Sequence, residues 1–346
     1  MARRIAEIGP LPDGTLGCVE LARDRGDDLL LGVAVAEPYL ETERLIAERR
    51  ARGLFGEMRF TLTNTARSCH PERLVRGARS VIAAAAPLWR PAAPRPDDPT
   101  GRMPRYAWSD PYAPLRARLG VIADGLRAQG ARCAVFVDSN HHVDRAAAIR
   151  AGLAFSAKNT MAIVPGHGSF VALGVIVTDA ELELEPAPQL VPPGCGSCTL
   201  CIDACPTGAL DEPGTLDATR CISWTTQQRN AMPEEHAAAL ADRVYGCDIC
   251  QDVCPWNAGP ARRGADEQPH DGAWVSLTDW LTLPDAELLS RHGHLYVPDR
   301  DPRYLRRNAL VALGNAFPEH APELAGPYRD SADDLLRVAA RRALER

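Results

Sequence analysis

The 346-residue sequence predicts an α/β (α+β) domain, then a cysteine-dense segment of the double-cluster ferredoxin-like kind, then a short α-helical tail. Three observations predict this order. Short apolar runs of strand length alternate with a helical pattern in the first half. Eight of the eleven cysteines fall between Cys195 and Cys254. The last forty residues return to helical periodicity. The length suggests two or three domains, and we expect boundaries at residues 1–190, 191–260 and 261–346.

The strands are expected at residues 79–87 (RSVIAAAAP), 132–137 (RCAVFV) and 171–178 (VALGVIVT), each an uninterrupted apolar stretch typical of buried strands. Between the first two, Leu115, Leu119, Ile122 and Leu126 recur at helical spacing, and Gly130 stands where the helix would stop. Trp89–Asp98, with three prolines, reads as a surface loop, and Glu185–Pro193 as the linker before the cysteines.

Composition narrows the function. Lys and Arg number 39 against 45 Asp and Glu, a net charge of −6, so there is no global basic field for nucleic acid, and any RNA must meet a local patch. The longest apolar stretch, Val81–Trp89, is far short of the roughly 18 residues of a membrane helix. Glu7, Pro10, Pro12 and Asp13 interrupt any apolar export segment after the paired Arg3 and Arg4, so the chain is expected to be cytoplasmic, without a membrane partner. Lysine occurs once, at Lys158, as though a compact ammonium were needed where guanidinium would not fit.

The run Cys195, Cys198, Cys201, Cys205-Pro206 has the C-x2-C-x2-C-x3-C-P spacing that wraps a [4Fe–4S] cube, its fourth cysteine serving another cluster. Cys221 followed by Cys247, Cys250 and Cys254-Pro255 repeats the pattern with its first ligand displaced upstream. By that crossover one cluster uses Cys195, Cys198, Cys201 and Cys254, and the other Cys205, Cys221, Cys247 and Cys250. Zinc also takes paired C-x2-C, but the repeated Cys-Pro ending and the triple run favour iron–sulfur. Cys18, Cys69 and Cys133 have no partner spacing and read as free thiols. A carrier of two clusters needs only the middle segment, so the first domain is expected to hold an electron acceptor.

At this level of detail the sequence resembles the epoxyqueuosine reductases, which are similar in cofactor set to cobalamin-dependent reductive dehalogenases. The resemblance runs from about Arg67 to Asn315 and is carried by Val137-Asp138-Ser139, Asp144-Arg145, Arg150-Ala151-Gly152-Leu153, Phe155 to Thr160, Gly168-Ser169, Arg220-Cys221-Ile222-Ser223 and Tyr245-Gly246-Cys247-Asp248. It implies base-off cobalamin, a tRNA anticodon stem-loop bearing epoxyqueuosine, and a separate, unidentified electron donor to a monomeric enzyme. It further implies Asp138 as proton donor and cofactor neighbour. Arg67, Lys158, Asn159, Gly168, Ser169, Ser223, Gln227, Arg229 and Asp248 would line the cofactor, and the tail, with Arg306-Arg307-Asn308, would be HEAT-like.

Read from the residues alone, Asp138 is equally a turn aspartate, Arg67 a surface arginine and Asp248 a cap of the cluster turn. The family has glycine at the position of Asn140, which is expected to accept positive φ here. His141 and His142, absent from the family pattern, are expected as exposed loop side chains. Pro104 occupies the position of a cofactor-proximal cysteine in some relatives. From Arg303 onward there are eight arginines and six acids, which gives little support from charge for RNA contact by the tail. The competing readings are a reductive dehalogenase-like enzyme acting on a small molecule and a non-enzymatic two-cluster electron carrier.

Overall fold

The computed structural model describes residues 29–182 and 194–346. Two features read from the sequence, Cys18 and the Glu185–Pro193 linker, lie outside the described residues. The chain forms two compact units. Among the described residues, one comprises residues 29–89, 111–182, 194–199 and Pro255–Arg262; the other comprises Arg90–Asp110, Leu200–Cys254 and Arg263–Arg346. Each unit thus draws on separated stretches of the chain. The Trp89–Asp98 loop falls almost wholly in the second unit, and the cysteine run is divided after Thr199.

The first unit is built on a four-stranded sheet. Its strand order is Leu30–Val35, Ser80–Pro87, Val171–Thr178, Cys133–Val137, and every neighbour is antiparallel. The three strands expected from apolar runs are all present, and Leu30–Val35 adds a fourth. Continuous apolar runs arise because both faces are covered. Ile82, Ala84, Ile176 and Val137 pack with Leu115, Leu119, Ala123 and Leu126 of the helix Tyr112–Ala128. Val81, Ala83, Ala85, Val175 and Val177 pack with Ala147 and Ala148 of the helix Asp144–Arg150. Gly130, at φ +90, follows the longer helix, and the Ala131 amide returns to the Leu126 carbonyl at 3.1 Å, closing the last turn.

The second unit is largely helical. Its centre is the helix Arg303–Ala316, buried continuously from Tyr304 to Gly314. The helix Asp334–Leu344 packs against it at Gly314, where a methyl group would come within 2.6 Å of the Ala343 Cα. Trp280, Leu277, Leu288, Leu240 and Val244 complete the core. A short antiparallel pair, Thr100–Arg102 with Trp274–Ser276, ties the Arg90–Asp110 excursion into this unit. Ser276 caps the helix Leu277–Thr282 by accepting the Asp279 amide at 3.0 Å. Among the described residues no helix is long and apolar enough to cross a membrane.

Candidate active site and cluster-binding segment

In the first unit the strand Cys133–Val137 delivers Asp138 at φ +46, the left-handed region that aspartate tolerates better than most residues. The expected positive φ at Asn140 is therefore corrected: the turn places it on Asp138 itself. Arg116 secures the strand end by donating from Nη2 to the Val137 carbonyl at 2.6 Å. The expectation for the histidine pair holds for one member only. His141 is exposed and its amide donates to Ser139 Oγ at 3.3 Å. His142 is 1% exposed, its ring stacked on Phe136, and its Nδ1 is 3.3 Å from Asp144 Oδ1. Asp144 opens the helix Asp144–Arg150, and the charge of Asp138 acts on its carboxyl.

Lys158 follows the strand Phe155–Ser156. Its Nζ donates to the carbonyls of Gly196 and Cys198 at 2.8 and 3.0 Å, while its amide approaches Cys195 Sγ at 3.4 Å. The ammonium thus closes the first turn of the cysteine run, converging on two carbonyls as a point charge with rotatable donors can. We predict that Lys158→Met leaves the secondary structure intact but makes one cluster labile, with iron content of the reconstituted protein falling by about half if it is lost from a two-cluster protein. Colorimetric iron determination checks this, and full iron retention would show that the turn closes without the lysine.

Asn159 is buried, and its Oδ1 accepts the Met161 amide at 3.2 Å. Gly168 has φ +75 and lies against Asn257, a buried residue that sequence reasoning missed. Asn257 Oδ1 accepts the Ser169 amide at 2.8 Å, and its Nδ2 donates to Ser169 Oγ at 3.0 Å. Arg67 stands exposed on the short helix Thr65–Ser68. Cys69 is fully buried and Cys133 lies on its strand 3.3 Å from Thr178 Oγ1, both as free thiols.

In the second unit the short helix Leu200–Asp203, which carries Cys201, packs on Ile249–Asp252, which carries Cys250. Cys221 precedes the helix Ile222–Thr225. Burial raises the Cys221 and Cys250 thiols and pushes Cys247 up to about 11, with each of the three also feeling another cysteine of the segment. Bound iron would displace these protons outright. Asp248 does not cap the turn as expected. Its carboxylate reaches back to accept the Arg105 amide at 2.7 Å, and burial raises it to about 6. An open cavity of about 110 Å³ adjoins Cys247, lined by Arg102, Pro104, Arg105, Trp108 and Trp274 among others.

The segment after Cys221 is held from behind. Arg307, 1% exposed, donates to the carbonyls of Thr225, Thr226, Gln228 and Asn230, and Asn308 Nδ2 donates to those of Thr226 and Val244. Arg306 is engaged by Asp285 and the Leu283 carbonyl. These two arginines are therefore spent inside the fold, in line with the small charge excess of the tail. Gln227 donates to the Ser223 carbonyl at 3.0 Å, and Arg229 pairs with Asp299 at 2.8 Å on the surface.

The donor set fits iron–sulfur clusters: eight free thiols in one segment, largely withdrawn from solvent. Among the described residues no three His, Cys, Asp or Glu side chains converge on a single ion's coordination point. A cube does not ask for this, because each of its irons takes one thiolate from a wider shell. For a corrin, the buried polar groups Asn159 and Ser169 are of the right chemistry, an amide and a hydroxyl of the kind that hydrogen-bond amide side chains. Lys158 and Arg229 already have protein partners.

The comparisons with known proteins agree with this arrangement. Residues 194–257 match the 4Fe–4S double cluster binding domain, and residues 68–139 match the family described as "Epoxyqueuosine reductase QueG, DUF1730". The chain is 34% identical over 334 residues to the epoxyqueuosine reductase of Bacillus subtilis, covering 93% of this chain and 84% of that protein. A structure of the Bacillus subtilis enzyme, with the loop of its catalytic aspartate swung out of the active site, superposes with a TM-score of 0.81 at 32% identity, covering 92% of this chain and 86% of that one. An epoxyqueuosine reductase crystallised with an epoxyqueuosine-modified tRNA-Tyr stem loop gives a TM-score of 0.77 at 30% identity, covering 92% and 95%. Similarity of this extent, in sequence and in fold, places the chain in the epoxyqueuosine reductase family, and it is accordingly an oxidoreductase.

Proposed function

We propose that this protein reduces epoxyqueuosine to queuosine at the wobble position of tRNA, with Asp138 as the proton donor. The observation that carries the assignment is the placement of Asp138. It leaves the edge strand of the central sheet in a left-handed turn, within electrostatic reach of a second carboxylate, Asp144. The reaction removes the epoxide oxygen as water and leaves a double bond, consuming two electrons and two protons.

The chain's own residues divide this work. Cys195, Cys198, Cys201 and Cys254 would hold one cluster and Cys205, Cys221, Cys247 and Cys250 the other, by the spacing of the run. Together they would pass single electrons from an external donor. Bound cobalamin would supply a low-potential, two-electron reductant for the carbon–oxygen bond. Arg67, Asn159, Gly168, Ser169, Ser223 and Gln227 would hold its rim, with Lys158 fixing the nearby cysteine turn, Arg229 lying at the margin and Asp248 bracing the second cluster turn. Asp138 would give its proton to the departing oxygen, which requires that it remain protonated near neutral pH.

The test is anaerobic reconstitution with iron, sulfide and cobalamin, followed by nucleoside analysis of tRNA carrying epoxyqueuosine. The native protein is expected to convert the nucleoside. Asp138→Asn is expected to lose a factor on the order of 10²–10⁴ in rate while retaining iron and cobalamin. Loaded native protein that leaves the epoxide intact but releases halide from organohalides would make it a dehalogenase-like enzyme. Protein with both clusters that binds no cobalamin would make it an electron carrier.

A further inference from the structure

The turn that carries Asp138 is closed at its base by a pair of rings. Phe136 stands two residues before Asp138 and His142 four after it. The two rings stack with centroids 6.3 Å apart and planes inclined by 16°. Phe136 belongs to the strand Cys133–Val137 and is paired with Val175 of the neighbouring strand, so the sheet fixes this side of the contact. The Val137 carbonyl that follows is held by Arg116.

Packing fixes the other side. His142 is buried, and Tyr39 meets it edge-on with ring centroids 5.4 Å apart. Tyr39 is held in turn by the Cys69 carbonyl, which accepts its amide at 2.8 Å, and by the Arg150 guanidinium 3.6 Å from its ring centre. Arg150 ends the helix that Asp144 begins, and it donates to the Glu37 and Pro38 carbonyls. Asp144 Oδ1 lies 3.3 Å from His142 Nδ1 and limits rotation of the imidazole against Phe136. Strand, helix and Tyr39 all bear on one ring.

For simple packing that ring is a poor choice. Its Nε2 is buried without a hydrogen-bond partner among the described residues, a loss that an aliphatic side chain would avoid. What an aliphatic side chain lacks is a flat face to lie along Phe136. Between the two rings the chain passes through Asp138 at φ +46, a backbone state that relaxes unless its surroundings hold it. Asn140 and His141 are exposed, so burial does little to hold the turn at its tip.

We infer that the Phe136–His142 stack is a clasp that fixes the Asp138 turn, which makes His142 a positioning residue for the proton transfer. This rests on the reading of Asp138 as proton donor. A proton is delivered over one hydrogen bond, so a turn that opens holds the carboxyl within reach for only part of the time. His142 acts on the reaction through the turn.

The test compares His142→Ala, which removes the ring, with His142→Phe, which restores a flat face without ring nitrogens. Limited digestion of the reconstituted enzyme with thermolysin reads the opening of the clasp as cleavage before Val143, itself buried. Where opening and closing are fast, this rate follows the population of the open form. The native bond should be cut at least about 100-fold more slowly than in the urea-unfolded chain, whereas His142→Ala should approach the unfolded rate at this bond alone. A turn open about nine-tenths of the time lowers kcat about tenfold. We expect that fall in His142→Ala with KM for the tRNA within about twofold of native and with iron and cobalamin retained. His142→Phe should recover most of both the protection and the rate.

Cleavage of His142→Ala before Val143 at the native rate would overturn the inference and leave His142 a packing residue. So would a His142→Phe turn as open as that of His142→Ala. Should His142→Ala lose its iron or be cut throughout, Phe136→Leu decides from the strand side: a turn cut as fast as in the unfolded chain supports the clasp, and one protected as in the native protein refutes it. Undiminished conversion by Asp138→Asn would instead remove Asp138 as donor, while digestion would still report on the clasp.

Discussion

Arg307→Met is expected to lower the thermal midpoint of the protein by on the order of 10 °C, the equivalent of about 4 kcal/mol. The native guanidinium is 1% exposed and donates to four backbone carbonyls between Thr225 and Asn230 as well as to Asn308 Oδ1. Burial draws its pKa down to about 10, so it stays protonated at neutral pH and its donors stay in place. Methionine matches much of the volume but none of the donors, leaving several carbonyls buried without partners. Each such group costs about 1–3 kcal/mol, partly relieved by local movement.

The same substitution should loosen the segment after Cys221, so iron content should fall together with stability. Arg307→Lys should recover at most about half the loss, because an ammonium has three donors and cannot span the fork of carbonyls. Arg346→Met is the control: its pair with Glu234 is solvent-exposed, and such pairs contribute about 0–1 kcal/mol. Calorimetry on the three variants checks the ordering. A fall for Arg307→Met no larger than for Arg346→Met would show that the carbonyls find other donors.

Arg307 also illustrates what could and could not be read from the amino-acid order. In sequence, Arg306-Arg307-Asn308 is a polar cluster that invites a solvent or RNA reading. Its acceptors come from residues about eighty positions earlier, and no local pattern announces them. His142 is similar: a polar residue in a turn reads as exposed until Tyr39, more than a hundred positions upstream, closes its cage. By contrast the cysteine segment is legible because ligation by a cluster imposes close, repeated spacing along the chain itself.

The strands were legible as apolar runs, yet their antiparallel order was not. With helices on both faces each strand is apolar throughout, which is the pattern usually associated with parallel sheets. Leu30–Val35 escaped notice because it directly follows a strongly charged stretch. Asn257 could have been suspected only from Gly168: a glycine before a serine marks a close approach, but the sequence does not say of what.

That close approach sets the second large effect. Gly168→Ala is expected to destabilise the first unit by on the order of 3 kcal/mol, from left-handed backbone strain and displacement of a buried partner. At φ +75 an added Cβ would lie 2.0 Å from Asn257 Oδ1 and 3.1 Å from the Trp256 carbonyl oxygen. Asn257 cannot give way cheaply, since it is 4% exposed and its amide grips both the backbone N–H and the hydroxyl of Ser169. Gly166→Ala separates the two causes. Gly166 has a similar φ of +82, but nothing lies within 4 Å of its added Cβ, so it should cost only the backbone share, about 1 kcal/mol. The helix bearing Asn257 begins at Pro255, directly after Cys254. A displaced Asn257 should therefore also cost iron, in Gly168→Ala and not in Gly166→Ala. Equal midpoints and equal iron in the two variants would mean that Asn257 moves aside freely, and that its clasp on Ser169 does not order this part of the site.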